Sequence, residues 1–133
     1  MTRKNTPDGG DMDGLRVLVV EDEAAISLLL EDMLVDFGCE VVGPAARLAT
    51  ALDLAQDEAL DIAILDVNLA GEPIYPVAAA LVERKVPFVF STGYGNAGIE
   101  DAYRERPVLQ KPFAQRDLRE TLLRALRDSA QTA

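Results

Sequence analysis

Two hydrophobic patterns alternate along the chain. Leu15-Arg16-Val17-Leu18-Val19-Val20 is a short aliphatic run of strand length. After it Ile26, Leu29, Leu30, Met33, Leu34 and Phe37 recur at helical spacing until Gly38 stops the run. Cys39 to Gly43 reads as a second strand closed by Pro44, and Leu48, Leu52, Ala55 and Ala59 mark a second amphipathic helix. Ile62-Ala63-Ile64-Leu65 is a third strand running into Asp66, followed by a loop through Gly71 and an alanine-rich helix over about Tyr75 to Arg84. Phe88-Val89-Phe90 gives a fourth strand, then a Gly-rich stretch and a short helical segment over about Asn96 to Tyr103. Val108-Leu109-Gln110 is the fifth strand, and Leu118, Leu122 and Ala125 give a last helix.

These are five β-α units whose strands are continuously apolar rather than alternating. Strands buried on both faces look like this, so the fold class is α/β: a doubly wound, five-stranded parallel sheet with helices on both faces. Five units are too few for an eight-stranded barrel. In such sheets ligands sit beyond the carboxyl ends of the strands. The residues there are Glu21-Asp22-Glu23 after strand one, Asp66 after strand three, Ser91-Thr92 after strand four and Lys111-Pro112 after strand five.

Taken singly, each has a plainer reading. Acidic residues after a strand commonly open a helix, where they suit its dipole, and Glu23 is read as no more than that. An aspartate or threonine ending a strand is commonly a turn residue, and a lone lysine a solvated charge. Taken together they point elsewhere. Carboxylates gathered at one sheet edge repel unless a cation lies among them, and an all-oxygen donor set favours Mg²⁺, with Mn²⁺ as the second choice. A carboxylate beside such a cation, with a hydroxyl and an ammonium in reach, is equipped for phosphoryl transfer. Asp66 would be the nucleophile, while Thr92 and Lys111 would stabilise the phosphoryl oxygens.

Composition narrows the chemistry. The chain has no histidine, which excludes Ser-His-Asp or Cys-His nucleophile pairs, His-ligated metals and phosphohistidine on this chain. A net charge of −10 with scattered basic residues argues against nucleic acid as a partner. No apolar run approaches the ~20 residues of a membrane span, so no membrane partner is expected. A single cysteine, Cys39, cannot form an internal disulfide, which fits a cytoplasmic location. The length suits one domain, placed at 14–128, with a polar tail at 1–13 and a short tail at 129–133.

The segments Val19-Val20-Glu21-Asp22, Leu65-Asp66-Val67-Asn68-Leu69-Ala70-Gly71, Ser91-Thr92-Gly93 and Gln110-Lys111-Pro112-Phe113 fall in this order at successive strand ends. In this the chain resembles the response-regulator receiver domains over about Leu15 to Arg127. The resemblance implies a flavodoxin-like strand order 2-1-3-4-5. It also implies Asp66 as the phosphorylation site, with Asp22, Asp66 and the Asn68 backbone carbonyl as metal ligands and Glu21 acting through a water. Thr92 would be the switch hydroxyl, Lys111 the phosphate-binding lysine, and the Lys111–Pro112 bond cis. Expected partners are a sensor histidine kinase or phosphotransfer protein and an unspecified downstream protein. No catalysis is expected beyond the domain's own phosphorylation and dephosphorylation.

Two departures from the family pattern stand out. Val108 occupies a position where many receivers carry Tyr or Phe, and Phe90-Ser91-Thr92-Gly93-Tyr94-Gly95 resembles the motif of a Phe-Ala-Thr-Gly-x-Tyr subgroup, usually single-domain. Tyr94 is the candidate to replace the missing aromatic, with residues 93–103 mobile until Thr92 is engaged. The alternatives to signalling output are a phosphate sink, a relay intermediate, or an inert α/β interaction module.

Overall fold

A computed structural model describes residues 12–93 and 99–132. The elements run β1 (Arg16–Val20), α1 (Ala24–Asp36), β2 (Glu40–Ala45), α2 (Leu48–Asp57), β3 (Ile62–Asp66), β4 (Asn68–Leu69), β5 (Glu72–Pro73), α3 (Tyr75–Glu83), β6 (Phe88–Thr92), β7 (Val108–Gln110) and α4 (Gln115–Thr132). The main sheet is parallel with order β2-β1-β3-β6-β7, which is the expected 2-1-3-4-5 arrangement of the five long strands. β4 and β5 form a separate two-stranded hairpin, where the sequence suggests only a loop.

Continuous apolarity of the strands has the expected cause: both faces are covered. One face packs Leu18, Leu65, Phe88 and Phe90 against Ala51 and Ala55 of α2 and Val77 and Leu81 of α3. The other packs Val17, Val19, Ile62, Ile64 and Val89 against Leu30 and Leu34 of α1 and Leu118 and Leu122 of α4. Each such large side chain contributes about 1.5–3 kcal/mol when fully buried. Met12, assigned to the tail from sequence, is itself fully buried in the second cluster, where Cys39 Sγ donates to its carbonyl at 3.4 Å. At the other end, α4 runs past the expected boundary to Thr132.

β2 continues beyond Pro44 instead of closing there. The pairing slips between Leu18↔Val42 and Val20↔Ala45, and Gly43 at φ +95° occupies the slip. A Cβ at Gly43 would lie 2.9 Å from Ala45 N and 3.1 Å from Val19 O, so the strand can pass there only as glycine. The extension lets Ala45 O accept from Glu21 N at 2.9 Å, which fixes the chain as it leaves β1. The Gly43–Pro44 and Lys111–Pro112 bonds are both cis, the second as the resemblance implies.

The helical segment expected over about Asn96 to Tyr103 is different in its described part. Residues 94–98, and with them Tyr94, lie outside the described residues, and the remainder is a single 3-10 turn, Asp101–Tyr103. Aromatic packing holds this turn. Tyr103 stacks on Tyr75 at 5.5 Å and 7°, and both rings meet Phe90 edge-on at 6.1 and 6.3 Å. Tyr75 Oη accepts from Glu100 N at 3.0 Å, and Ile99 is buried beneath.

Candidate functional site

Parallel register brings the predicted residues to one edge. Val20 pairs with Leu65, Asp66 with Ser91, and Thr92 with Gln110, so β1, β3, β6 and β7 end side by side. The backbone continues the alignment: Val67 N donates to Ser91 O at 3.2 Å and Lys111 N donates to Thr92 O at 2.8 Å. Glu21, Asp66 and Thr92 are buried, whereas Asp22 is exposed at the rim.

One carboxylate oxygen from each of Glu21, Asp22 and Asp66 lies within 4.8 Å of the other two. Lys111 reaches into this group. Its Nζ is 2.8 Å from Glu21 Oε1, 3.4 Å from Asp66 Oδ2 and 3.7 Å from Glu23 Oε1. Glu23, read from sequence as only a helix start, stands at the N-cap position of α1 without a side-chain capping bond and also faces the lysine. Its backbone N donates to Glu21 Oε2 at 3.0 Å.

The electrostatics follow from this geometry. Burial and the nearby Glu21 charge raise the Asp66 carboxyl to about 7, against the lowering pull of Lys111 and of the Asn68 N–H. Burial works against the Lys111 ammonium, yet its hydrogen bonds and charge attraction to Glu21 and Asp66 together raise its pKa. The crevice thus holds more negative charge than one lysine balances. An all-carboxylate donor set with a spare negative charge, from Glu21, Asp22 and Asp66, fits a hard divalent cation.

A further pair of donors was not legible in the sequence. Asn68 N donates to Asp66 Oδ1 at 3.3 Å, and Ala70 N donates to Asp22 Oδ2 at 2.9 Å. Both come from the β4–β5 hairpin. Ala70-Gly71 is a turn dipeptide, but two-residue strands leave no periodicity to detect. Ser91, one residue before Thr92, is fully buried and its Oγ has no hydrogen-bond partner among the described residues.

A family model described as response regulator receiver domain matches residues 17–123. The chain belongs to that family. Among solved receiver structures, SdrG from Sphingomonas melonis Fr1 is 43% identical, with 85% of this chain and 97% of that chain covered at a TM-score of 0.78. A second SdrG structure, of its BeF3-activated conformation, superposes at a TM-score of 0.73, also at 43% identity and covering 86% of this chain and 99% of that one. The PhyR receiver domain of Erythrobacter litoralis is 30% identical, covering 86% of this chain and 92% of that one, at a TM-score of 0.73. The transcriptional regulatory protein PdtaR of Mycobacterium tuberculosis is 32% identical over 107 residues, 77% of this chain and 52% of that protein. This receiver chain therefore spans about half the length of that curated relative.

Proposed function

We propose that this receiver accepts a phosphoryl group on Asp66 from a sensor histidine kinase or phosphotransfer protein, and signals by contact with another protein. The observation that carries this reading is the meeting of Glu21, Asp22 and Asp66 within 4.8 Å, with Lys111 Nζ 3.4 Å from Asp66. Asp66 ends β3, the central strand of the sheet, beside Ser91 of β6.

In the step we infer, a carboxylate oxygen of Asp66 forms a bond to the donor's phosphorus. The bond from phosphorus to the donor group breaks, and its electron pair leaves with that group. Asp22, Asp66 and the Asn68 carbonyl would hold Mg²⁺ or Mn²⁺, with Glu21 behind a water; when bound, the cation supplies charge neutralisation for the phosphoryl oxygens. Lys111 neutralises a second phosphoryl oxygen, and the Thr92 hydroxyl donates to a third. The chain carries no histidine, so the phosphoryl group must come from outside. We infer no turnover of an external substrate, only the domain's own phosphorylation and dephosphorylation.

Nearly full coverage of SdrG supports a receiver unit placed at 14–128, and the existence of a BeF3-activated conformation of SdrG supports activation of this receiver by a phosphoryl group. Val108 and Phe90-Ser91-Thr92-Gly93 favour the Phe-Ala-Thr-Gly-x-Tyr subgroup. Among the described residues no helix is long and apolar enough to cross a membrane. A cytoplasmic location without nucleic-acid contact is the reading we favour, from the net charge of −10 and the lone cysteine.

Intact-mass spectrometry with acetyl phosphate and Mg²⁺ tests the assignment. The mass should rise by one phosphoryl group on the wild type and not at all on Asp66→Asn. Label persisting on that variant would place the nucleophile elsewhere.

A further inference from the structure

Two of the three clustered carboxylates are held by backbone N–H groups two residues apart on one short hairpin. Asn68 N reaches Asp66 Oδ1, and Ala70 N reaches Asp22 Oδ2. The hairpin pairs Asn68 with Pro73 and Leu69 with Glu72, leaving Ala70-Gly71 as its two-residue tip. Both tip residues have positive φ, +51° and +85°. This is the signature of a type I′ turn, which suits the twist of a tight hairpin. Gly71 adopts it freely, but Ala70 carries a Cβ into the left-handed region, where it crowds the backbone.

The strained tip is fixed at both ends. Leu69 and Ile74 are fully buried, and Ile74 N donates to Val67 O at 3.2 Å, tying the hairpin's base to the residue after Asp66. At its top the Ala70 N–H meets the Asp22 carboxylate. Asp22 is exposed, and an exposed aspartate is free to rotate away from its neighbours unless something holds it.

We propose that the β4–β5 hairpin is a positioning clamp. By occupying Asp22 Oδ2, the Ala70 N–H holds that carboxylate in the orientation that brings it within 4.8 Å of Glu21 and Asp66. The inference rests on the reading of Asp22 as a metal ligand. Outer-shell donors of this kind orient ligands, and their loss commonly costs about 10-fold or more in metal affinity. Ala70 is thus a positioning residue, acting through its backbone and not its side chain.

NMR on the ¹⁵N-labelled protein tests the clamp. In the metal-free wild type the Ala70 amide should be shifted downfield and exchange slowly, and Asp22→Ala should abolish both features. The bonded signature should persist at saturating Mg²⁺. Gly71→Val places a β-branched residue at positive φ, yet a Cβ there meets no atom within 4 Å, so it strains the turn without a clash. It should weaken Mg²⁺ binding about 10-fold by titration. Ala70→Gly keeps the N–H and relieves the strain, so it should bind Mg²⁺ as well as the wild type or better. Unchanged Mg²⁺ affinity in Gly71→Val, an Ala70 amide indifferent to Asp22→Ala, or loss of its bonded signature on Mg²⁺ saturation would each overturn the clamp alone. Unchanged Mg²⁺ affinity in Asp22→Ala itself would remove the metal reading, and the clamp with it.

Discussion

Lys111 Nζ stands 2.8 Å from Glu21 Oε1, deep in a crevice where Glu21 is only 2% exposed. The same ammonium also faces Asp66 and Glu23, so one cation serves three carboxylates. Lys111→Met leaves Glu21 and Asp66 facing each other without it. In EDTA that variant should lose on the order of 3 kcal/mol of stability, because removing one partner of a buried pair strands the other. Urea denaturation measures the loss, and added Mg²⁺ should recover part of it. Lys111→Arg should hold the fold but not restore phosphorylation, since a forked guanidinium is not a compact ammonium.

Asp66 sets a pH dependence whose sign is unusual for a carboxylate. Its folded pKa of about 7 lies above its unfolded value near 4. Between these limits the folded state holds a proton that the unfolded state has released. Stability of the metal-free protein should therefore fall as pH rises from about 4 to about 7. Asp66→Asn should flatten that slope and leave the metal-free protein the more stable at pH 7.5, while weakening Mg²⁺ binding. Denaturation in EDTA at pH 5 and pH 7.5 checks both statements; a wild-type slope identical to that of Asp66→Asn would contradict them.

Ser91 is buried in β6 between Asp66 of β3 and Leu109 of β7. Its Oγ is buried and has no hydrogen-bond partner among the described residues, and a stranded hydroxyl costs about 1–3 kcal/mol. Ser91→Ala removes it with little change of shape. The variant should gain about 1 kcal/mol, read as a rise in urea midpoint at constant slope.

The stacked rings of Tyr75 and Tyr103 hold the chain between Ile99 and Val108 on the sheet. Tyr103→Ala should destabilise the protein by about 2–3 kcal/mol and speed amide exchange over residues 99–106. Tyr75→Phe keeps the ring and removes the acceptor of the Glu100 N–H, so its effect should be near 1 kcal/mol. Equal exchange at Glu100 in Tyr75→Phe and wild type would show that the hydroxyl contributes nothing there.

The same packing lines the region expected to take part in the switch. Val108 is half-buried, and packed side chains lie along the described segment after residue 98. Ile99 is buried and Tyr103 is gripped by three aromatic rings, Tyr75, Phe88 and Phe90. Aromatic residues far apart in sequence gave no local sign that they would meet. Tyr75 opens a helix and Phe90 lies in a strand, and each obeys its own periodicity.

The sequence by itself determined the five β-α units, their parallel arrangement and the identities of the residues at the sheet edge. Aliphatic runs such as Ile62–Leu65 and spaced apolar positions such as Leu30, Met33 and Leu34 report local backbone period and burial directly. Once the strands are parallel, Glu21, Asp22, Asp66, Thr92 and Lys111 have only one edge at which to gather. Tertiary structure alone decided which of them touch: Lys111 on Glu21, the Ala70 N–H on Asp22, Met12 in the core and β2 carried past Pro44 by Gly43. Those contacts depend on register, on left-handed backbone at Ala70, Gly71 and Gly43, and on separations of up to 90 positions. Hydrophobic periodicity carries none of that, because it reports where a side chain faces and not what it meets there.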